Sequence, residues 1–502
     1  MQVTGESPQP YRREFIPLRR LLHLLFDAAG RPPTTHHINE RHNMSPRQKS
    51  KKKIPSVAKT TPSLPVFHPH AAGIDIGARE IYVAVPPDRD PKPIRVFATF
   101  TEDLLALRDW LKACGVQSVA MESTGVYWIP LFQMLEAAGL EVCLVNARHC
   151  KNLPGRKTDV QDCQWLQYLH SVGLLRGSFR PPETVCAVRS LLRHRDGLVR
   201  AAATCVSRLH KALTQMNVQL QHVIADITGV TGLAILEAIL AGERDPRTLA
   251  KLKDGRIRAT SDVIAKSLRG DWRGEHLFTL RQCLDTWKHY QSQITACDGE
   301  TARLIQGFAP KVDAVAQPLP PRTSTHKSPQ RNEPRFNARE ELYRTCGMDL
   351  TQVPGIQSGT ALVLVAELGP DFAERFPTAK HFGSWLGLCP DNRITGGKIM
   401  SSSTRDVKSR AATALRLAAQ SLNKAQNYFG DLYRRWKARL GTPKAITAMA
   451  HKLARILWHL FKYRQPFDPE VFKKEEEKIQ RKKLARLHNS AAALGLKLVP
   501  NQ

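Results

Sequence analysis

With 502 residues, and 75 Lys+Arg set against 45 Asp+Glu, the chain carries a net charge of +30 and a pI near 10, a balance that favours a polyanionic partner, nucleic acid above all. No run of about 18 apolar residues exists to span a bilayer, and Arg19-Arg20-Leu21-Leu22-His23-Leu24-Leu25-Phe26 is too short and lacks a signal-peptidase site, so the reading is a cytoplasmic protein with no membrane partner. The ten cysteines include no Cys-x-x-Cys pair and no Cys/His cluster with zinc spacing, which argues against a disulfide framework or zinc centre and for reduced, mostly buried thiols.

Residues 1–70 read as a basic, poorly ordered lead-in. Pro, His, Arg and Lys accumulate there, as in Lys49-Ser50-Lys51-Lys52-Lys53, around one short amphipathic patch at 15–26. Met44 offers an alternative translation start. From Ala72 the pattern changes. Ile74 and Ile76, then Ile81, Val83 and Val85, alternate about Ala78-Arg79-Glu80 as in a β-hairpin. A third strand is expected at 94–100, a helix at 104–114, a strand at 118–121, a helix at 129–138, a strand at 141–145, and a further helix after Asp162. The order β-β-β-α-β-α-β-α is that of an α/β ribonuclease-H-like layer, placed at 71–180.

Within it stand four carboxylates. Asp75 lies mid-strand in Gly73-Ile74-Asp75-Ile76-Gly77, Glu122 at a strand end in Met121-Glu122-Ser123-Thr124-Gly125, and Asp159 and Asp162 in Lys157-Thr158-Asp159-Val160-Gln161-Asp162. Residues three apart share one face of a helix, where two like charges repel unless a cation offsets them. The expectation is that all four converge on metal, with Mg²⁺ favoured by hard oxygen ligands, as a two-metal nuclease site requires. Taken singly, each has a structural alternative. Asp75-Ile76-Gly77 also occurs as a phosphate-binding strand-turn in actin-like folds, Glu122 can be a plain strand end, and Asp159 can serve as a helix cap.

Beyond Pro181-Pro182, Val185, Val188, Leu192, Arg195, Val199, Ala202, Val206, Leu209, Leu213, Met216, Leu220 and Val223 recur by threes and fours, with Arg195 as the exception and Gly197 as a weak point. A second run comprises Leu280, Cys283, Trp287, Tyr290, Ile294, Cys297, Thr301 and Leu304. Together they predict a helical coiled-coil connector over 181–309, either an antiparallel pair within the chain or a parallel seam between two copies. Residues 310–339, rich in Pro, Arg, Ser and Thr, read as a linker. An α-helical C-terminal domain is expected at 340–465 and a charged helical tail at 466–502. Val353-Pro354-Gly355-Ile356-Gln357-Ser358-Gly359 suggests a helix-hairpin-helix turn facing phosphate, or an ordinary helix–helix turn.

These motifs in combination resemble the IS-one-ten family of bacterial insertion-sequence transposases. The resemblance rests on Gly73-Ile74-Asp75-Ile76-Gly77, Met121–Trp128 (Met-Glu-Ser-Thr-Gly-Val-Tyr-Trp) and Lys157–Asp162, then on Val353-Pro354-Gly355-Ile356, Phe382–Pro390 and Gly396-Gly397-Lys398. It covers about residues 70–465. It implies a RuvC-like DEDD domain in which Asp75, Glu122, Asp159 and Asp162 bind Mg²⁺. It also implies a DNA recombinase that excises and inserts its own element, a composite site between protomers of a homo-oligomer, and a structured non-coding guide RNA. The family's nucleophilic serine falls where this chain has Thr395, which keeps the hydroxyl; Ser401, Ser402 and Ser403 are the nearby alternatives. Arg393, Lys398, Arg405 and Lys408 are expected to neutralise phosphate around that loop. A Holliday-junction-resolvase-like endonuclease and a catalytically inactive nucleic-acid-binding protein are the alternative functions.

Overall fold

In a computed structural model, residues 64–123, 125–146, 158–313, 316–321 and 332–496 are described. The patch at 15–26, the lysine run at 49–53, Met44, Thr124, Lys157 and much of the expected linker lie outside them.

Period-two alternation builds the first unit. Strands β1 (Ala71–Ile76), β2 (Glu80–Ala84), β3 (Ile94–Ala98), β4 (Ser118–Glu122) and β5 (Glu141–Val145) form one mixed sheet in the order β3-β2-β1-β4-β5. The β1–β2 and β2–β3 pairs are antiparallel, while β1–β4 and β4–β5 are parallel. The expected order of elements is the observed one. Ile74, Ile76, Ile81, Val83, Val119 and Met121 project to one face, where they pack with Leu107 and Leu111 of α1 (Thr101–Ala113) and Leu131 and Leu135 of α2 (Trp128–Ala137). Helix α3 (Asp159–Ser171) covers the opposite face. This mixed sheet with helices on both faces, followed by helical units, fits the fold class expected for the chain.

Two long helices follow, α4 (Glu183–Gln215) and, after the short α5 (Val230–Leu240), α6 (Pro246–Lys251) and α7 (Ser261–Ser267), α8 (Gly274–Gln306). They pack along one another in opposite senses: Arg195 meets Asp298, whereas Leu209 and Leu213 share a core with Leu280 and Leu284. The pairing is therefore within the chain. Gly197 does not interrupt α4. The apolar run does outlast the helix, because α4 ends at Gln215 and Asn217 takes φ 54°. Met216, Leu220 and Ile224 then turn into the second core beside α5 and α7.

Arg195, the exception in the seam, is buried and meets buried Asp298 through Nε–Oδ1 at 2.5 Å and Nη2–Oδ2 at 3.1 Å. Its guanidinium also donates to the carbonyls of Asn332 and Glu333, and the Arg335 N–H donates to Asp298. The pair thus fixes the phase of α4 on α8 and holds the chain as it enters the last unit. The expected linker ends two residues early, since Ala338 and Arg339 already belong to α9 (Ala338–Cys346), capped by Asn337, and Arg339 is buried in an ion pair with Asp349.

The third core gathers α9, α10 (Ser358–Leu368), α11 (Ala379–Trp385), α12 (Arg410–Ser421), α13 (Tyr428–Leu440) and α14 (Thr442–Tyr463). A hairpin of β6 (Arg393–Thr395) and β7 (Lys398–Ser401) projects between α11 and α12. Val353 and Ile356 are buried, and Gly355 sits so close to the Ala418 carbonyl that a Cβ there would approach to 2.7 Å. The 353–357 turn therefore packs on α12 as a helix–helix junction. Arg189 of α4 donates to the Ala366 and Glu367 carbonyls at the end of α10, and Arg193 grips the Glu367 carboxylate at 2.9 and 2.7 Å. A final helix, α15 (Lys473–Ala493), leaves this unit.

Truncating one member of the buried pair leaves a stranded charge. Arg195→Met is expected to cost about 3–5 kcal/mol in urea unfolding, and the double variant R195M/D298L to regain most of that loss.

Candidate active site

The site begins with a missing side chain. A Cβ on Gly73 would lie 2.2 Å from the Cys163 carbonyl and 2.3 Å from the Gln167 nitrogen, so only glycine lets α3 rest backbone-to-backbone on β1. Gln167 Nε2 donates to the Ala71 carbonyl at 3.3 Å. Asp75 follows Gly73 on the same face of β1, since side chains alternate with period two. The first turn of α3 is thereby brought over it.

Thr158 caps α3, its hydroxyl accepting from the Gln161 N–H at 3.3 Å. Asp159 is thus relieved of the capping role it was offered as an alternative. Asp159 and Asp162 both fall in the first helical turn, where the positive end of the helix dipole favours carboxylates. At its other end, α3 is held by buried His170, whose Nε2 is 3.0 Å from Ser118 Oγ and whose ring stacks on His68. Burial pushes His170 down to about 4, so it is neutral at physiological pH. Burial, and then the Asp75 charge, push the Cys163 thiol up to about 12, which makes it an inert packing group.

One oxygen from each of Asp75, Asp159 and Asp162 comes within 4.8 Å of the others. Two ligands of an octahedral Mg²⁺ at about 2.1 Å are separated by roughly 3–4.2 Å, so small side-chain adjustments suffice for these three to share an ion. Glu122 is placed differently. The parallel register pairs Ile74 with Met121, which sets Glu122 level with Asp75 at the end of β4, but its carboxylate falls outside the group of three. Tyr82, which the sequence reading overlooked, lies directly opposite Asp75 on β2 and donates to Glu80 Oε2 at 3.0 Å. That hydrogen bond and the Glu80 charge, with smaller effects of Asp159 and Asp75, raise its phenol above the ordinary value. The alternation of β2 against β1 was the signal that could have found it.

The second group of candidates sits on the β6–β7 hairpin. Gly396 and Gly397 take φ 54° and 76°, the two left-handed residues of a type I′ turn, and Thr395 pairs with Lys398 across it. Thr395 is consequently exposed at the tip. Ser401, opposite Arg393 at the hairpin base, lies 3.1 Å from Ser403 Oγ, and Ser402 is exposed between them. Arg393, Lys398 and Lys408 are exposed. Arg405 is engaged, donating to the Ser384 carbonyl at 2.5 Å and to its hydroxyl at 3.1 Å. Ile394, Ile399 and Met400 are also exposed, at 60%, 61% and 71%.

Comparison with known families places both regions. Residues 72–218 match a family model of DEDD transposases of the IS110 type, a span that contains all four carboxylates. Residues 347–434 match the transposase IS116/IS110/IS902 family, a span that contains the 353–357 turn and the hairpin. No curated protein matches the chain. Among the described residues, no helix is long and apolar enough to cross a membrane.

Gly73→Ala is expected to lower stability by about 2–3 kcal/mol, because the added methyl meets backbone that cannot yield. Millimolar Mg²⁺ is expected to raise the wild-type Tm by about 2–4 °C, and Asp162→Asn to abolish that rise; both are read by thermal unfolding with and without EDTA.

Proposed function

The chain is an IS110-family transposase, an enzyme acting on DNA, and from that premise we propose that Asp75, Glu122, Asp159 and Asp162 hold Mg²⁺ while the Thr395 hydroxyl attacks the DNA phosphate. The observation that carries the reading is the meeting of Asp75, Asp159 and Asp162 where α3 touches β1. We read the first unit as a RuvC-like DEDD domain at 71–180, the α4–α8 pair as a coiled-coil connector at 181–309, 310–339 as a linker and 340–465 as the C-terminal transposase domain. Glu122 completes the ligand set by a rotation of its side chain from the end of β4.

Bound Mg²⁺ supplies Lewis-acid stabilisation of charge on the phosphate under attack. The remaining work falls to side chains. Thr395 Oγ1 loses its proton and forms an ester with the scissile phosphorus, while one deoxyribose oxygen leaves and takes up a proton. Attack by a second strand's hydroxyl reverses the sequence, frees Thr395 and joins the new strands. Arg393, Lys398 and Lys408 offset phosphate charge near the hairpin, and Arg405 braces it against α11.

The exposed tip of the hairpin and its three exposed apolar residues support a composite site, in which one protomer's Thr395 serves the carboxylates of another. A structured non-coding RNA is the proposed guide, and the cytoplasm the proposed location. A resolvase-like hydrolase shares the carboxylates but forms no protein–DNA ester.

The test is strand exchange on a plasmid carrying the element's ends, with its adjacent non-coding RNA, in Mg²⁺ and in EDTA. Wild type and Thr395→Ser are expected to recombine in Mg²⁺ only and to form a covalent DNA adduct. Thr395→Ala is expected to lose at least about 100-fold with DNA binding intact. Recombination by Thr395→Ala at the wild-type rate would move the nucleophile to Ser401, Ser402 or Ser403.

A further inference from the structure

Helix α15 lies outside both family-matched spans, and its two halves behave differently. The first half is anchored. Just before it, Phe472 stacks on Tyr428 at 5.3 Å and meets Phe429 edge-on at 5.0 Å. The Tyr428 hydroxyl donates to Glu475 and accepts from Lys452 Nζ at 3.0 Å. Gln480 Nε2 reaches Asp431 Oδ2 at 3.3 Å.

Past Gln480, among the described residues, the helix makes no hydrogen bond or ion pair with another element, and its side chains from Arg481 to Ser490 are all exposed. No Asp or Glu occurs in the sequence from Lys478 onward. Lys474, Lys478, Arg481, Lys482 and Arg486 recur at helical spacing, which lays them along one face over about 18 Å. All five are exposed, and Arg481 pairs with Glu477 one turn back at 3.7 Å. Leu484 and Leu487 lie on the other side.

We propose that α15 is a DNA-binding arm, held rigidly at its base by the Tyr428–Lys452–Glu475 group and laying its five cations along the phosphates of duplex DNA. The charge complementarity selects the occupant. Glu475, Glu476 and Glu477 lie between Lys474 and Lys478, but no carboxylate follows, and Glu475 is turned to Tyr428. A cationic row of this kind releases counterions from a polyphosphate, and one such side chain per phosphate is the ordinary means of fixing a protein on a duplex. The anchored base reduces the ordering cost of binding, since the free half is already helical and directed. The inference takes DNA as partner from the family assignment, but it depends on neither the metal ligands nor Thr395.

The test is duplex-DNA binding by the full-length protein in EDTA, over a range of salt, with the wild type and a variant carrying Gln at positions 474, 478, 481, 482 and 486. The variant is expected to bind at least about tenfold more weakly at physiological salt, with a slope of log affinity against log salt shallower by about four to five, while far-UV circular dichroism and Tm are unchanged. L484S/L487S is expected to bind DNA as the wild type does. Unaltered affinity and slope in the five-Gln variant would overturn the proposal. So would a loss confined to a structured RNA or to phosphatidylserine vesicles, or a DNA loss in L484S/L487S accompanied by a change of oligomeric state in sedimentation.

Discussion

The backbone contact between α3 and β1 at Gly73 is the constraint on which the rest of the candidate site depends. A helix packed on a sheet through side chains stands about 10 Å away, too far for short carboxylates on the two elements to share an ion. Removing the Cβ at Gly73 brings the Cys163 and Gln167 backbone down onto the strand. Thr158 then sets where the helix begins, and His170 against Ser118 sets where it ends. Between those supports, Asp159 and Asp162 have little choice but to face Asp75.

Acidic residues so arranged repel, and the fold lessens that cost by local means. Two of the three sit at the positive end of α3, and all retain some access to solvent. The large apolar cluster lies on the other face of the sheet, where residues of β1, β2 and β4 meet α1 and α2. On the α3 side, Cys163, Leu166 and Leu169 are buried as well, and the three aspartates gather at the first turn of that helix.

The connector and C-terminal unit follow a different logic. Arg195 and Asp298 fix the phase of the two long helices at some cost in desolvation, while Arg189 and Arg193 tie α4 to the end of α10. The third core is thereby joined to the helical pair by directional polar contacts. Within this braced unit the β6–β7 hairpin is the exception, projecting Thr395 on two glycines whose left-handed conformation gives a tight tip. The carboxylates are ordered by contact within one unit, whereas the hydroxyl is presented outward.

Much was legible in the chain alone, because it is written in local terms. Alternation of apolar residues located β1 and β2 and short apolar runs the other three strands, the three-residue spacing put Asp159 and Asp162 on one helical face, and the long apolar periodicities located α4 and α8. The loop that holds Thr395 was singled out by the family resemblance at Gly396-Gly397-Lys398. What spacing could not supply was distance across the fold. That Gly73 rather than a polar residue admits α3, that Asp298 answers Arg195, that Thr158 and not Asp159 caps the helix, and that Glu122 stands level with Asp75 yet apart from the three aspartates were all decided by packing between segments far apart in sequence. Such contacts depend on the approach and phase of whole elements, which period and composition leave open and only the assembled tertiary structure determines.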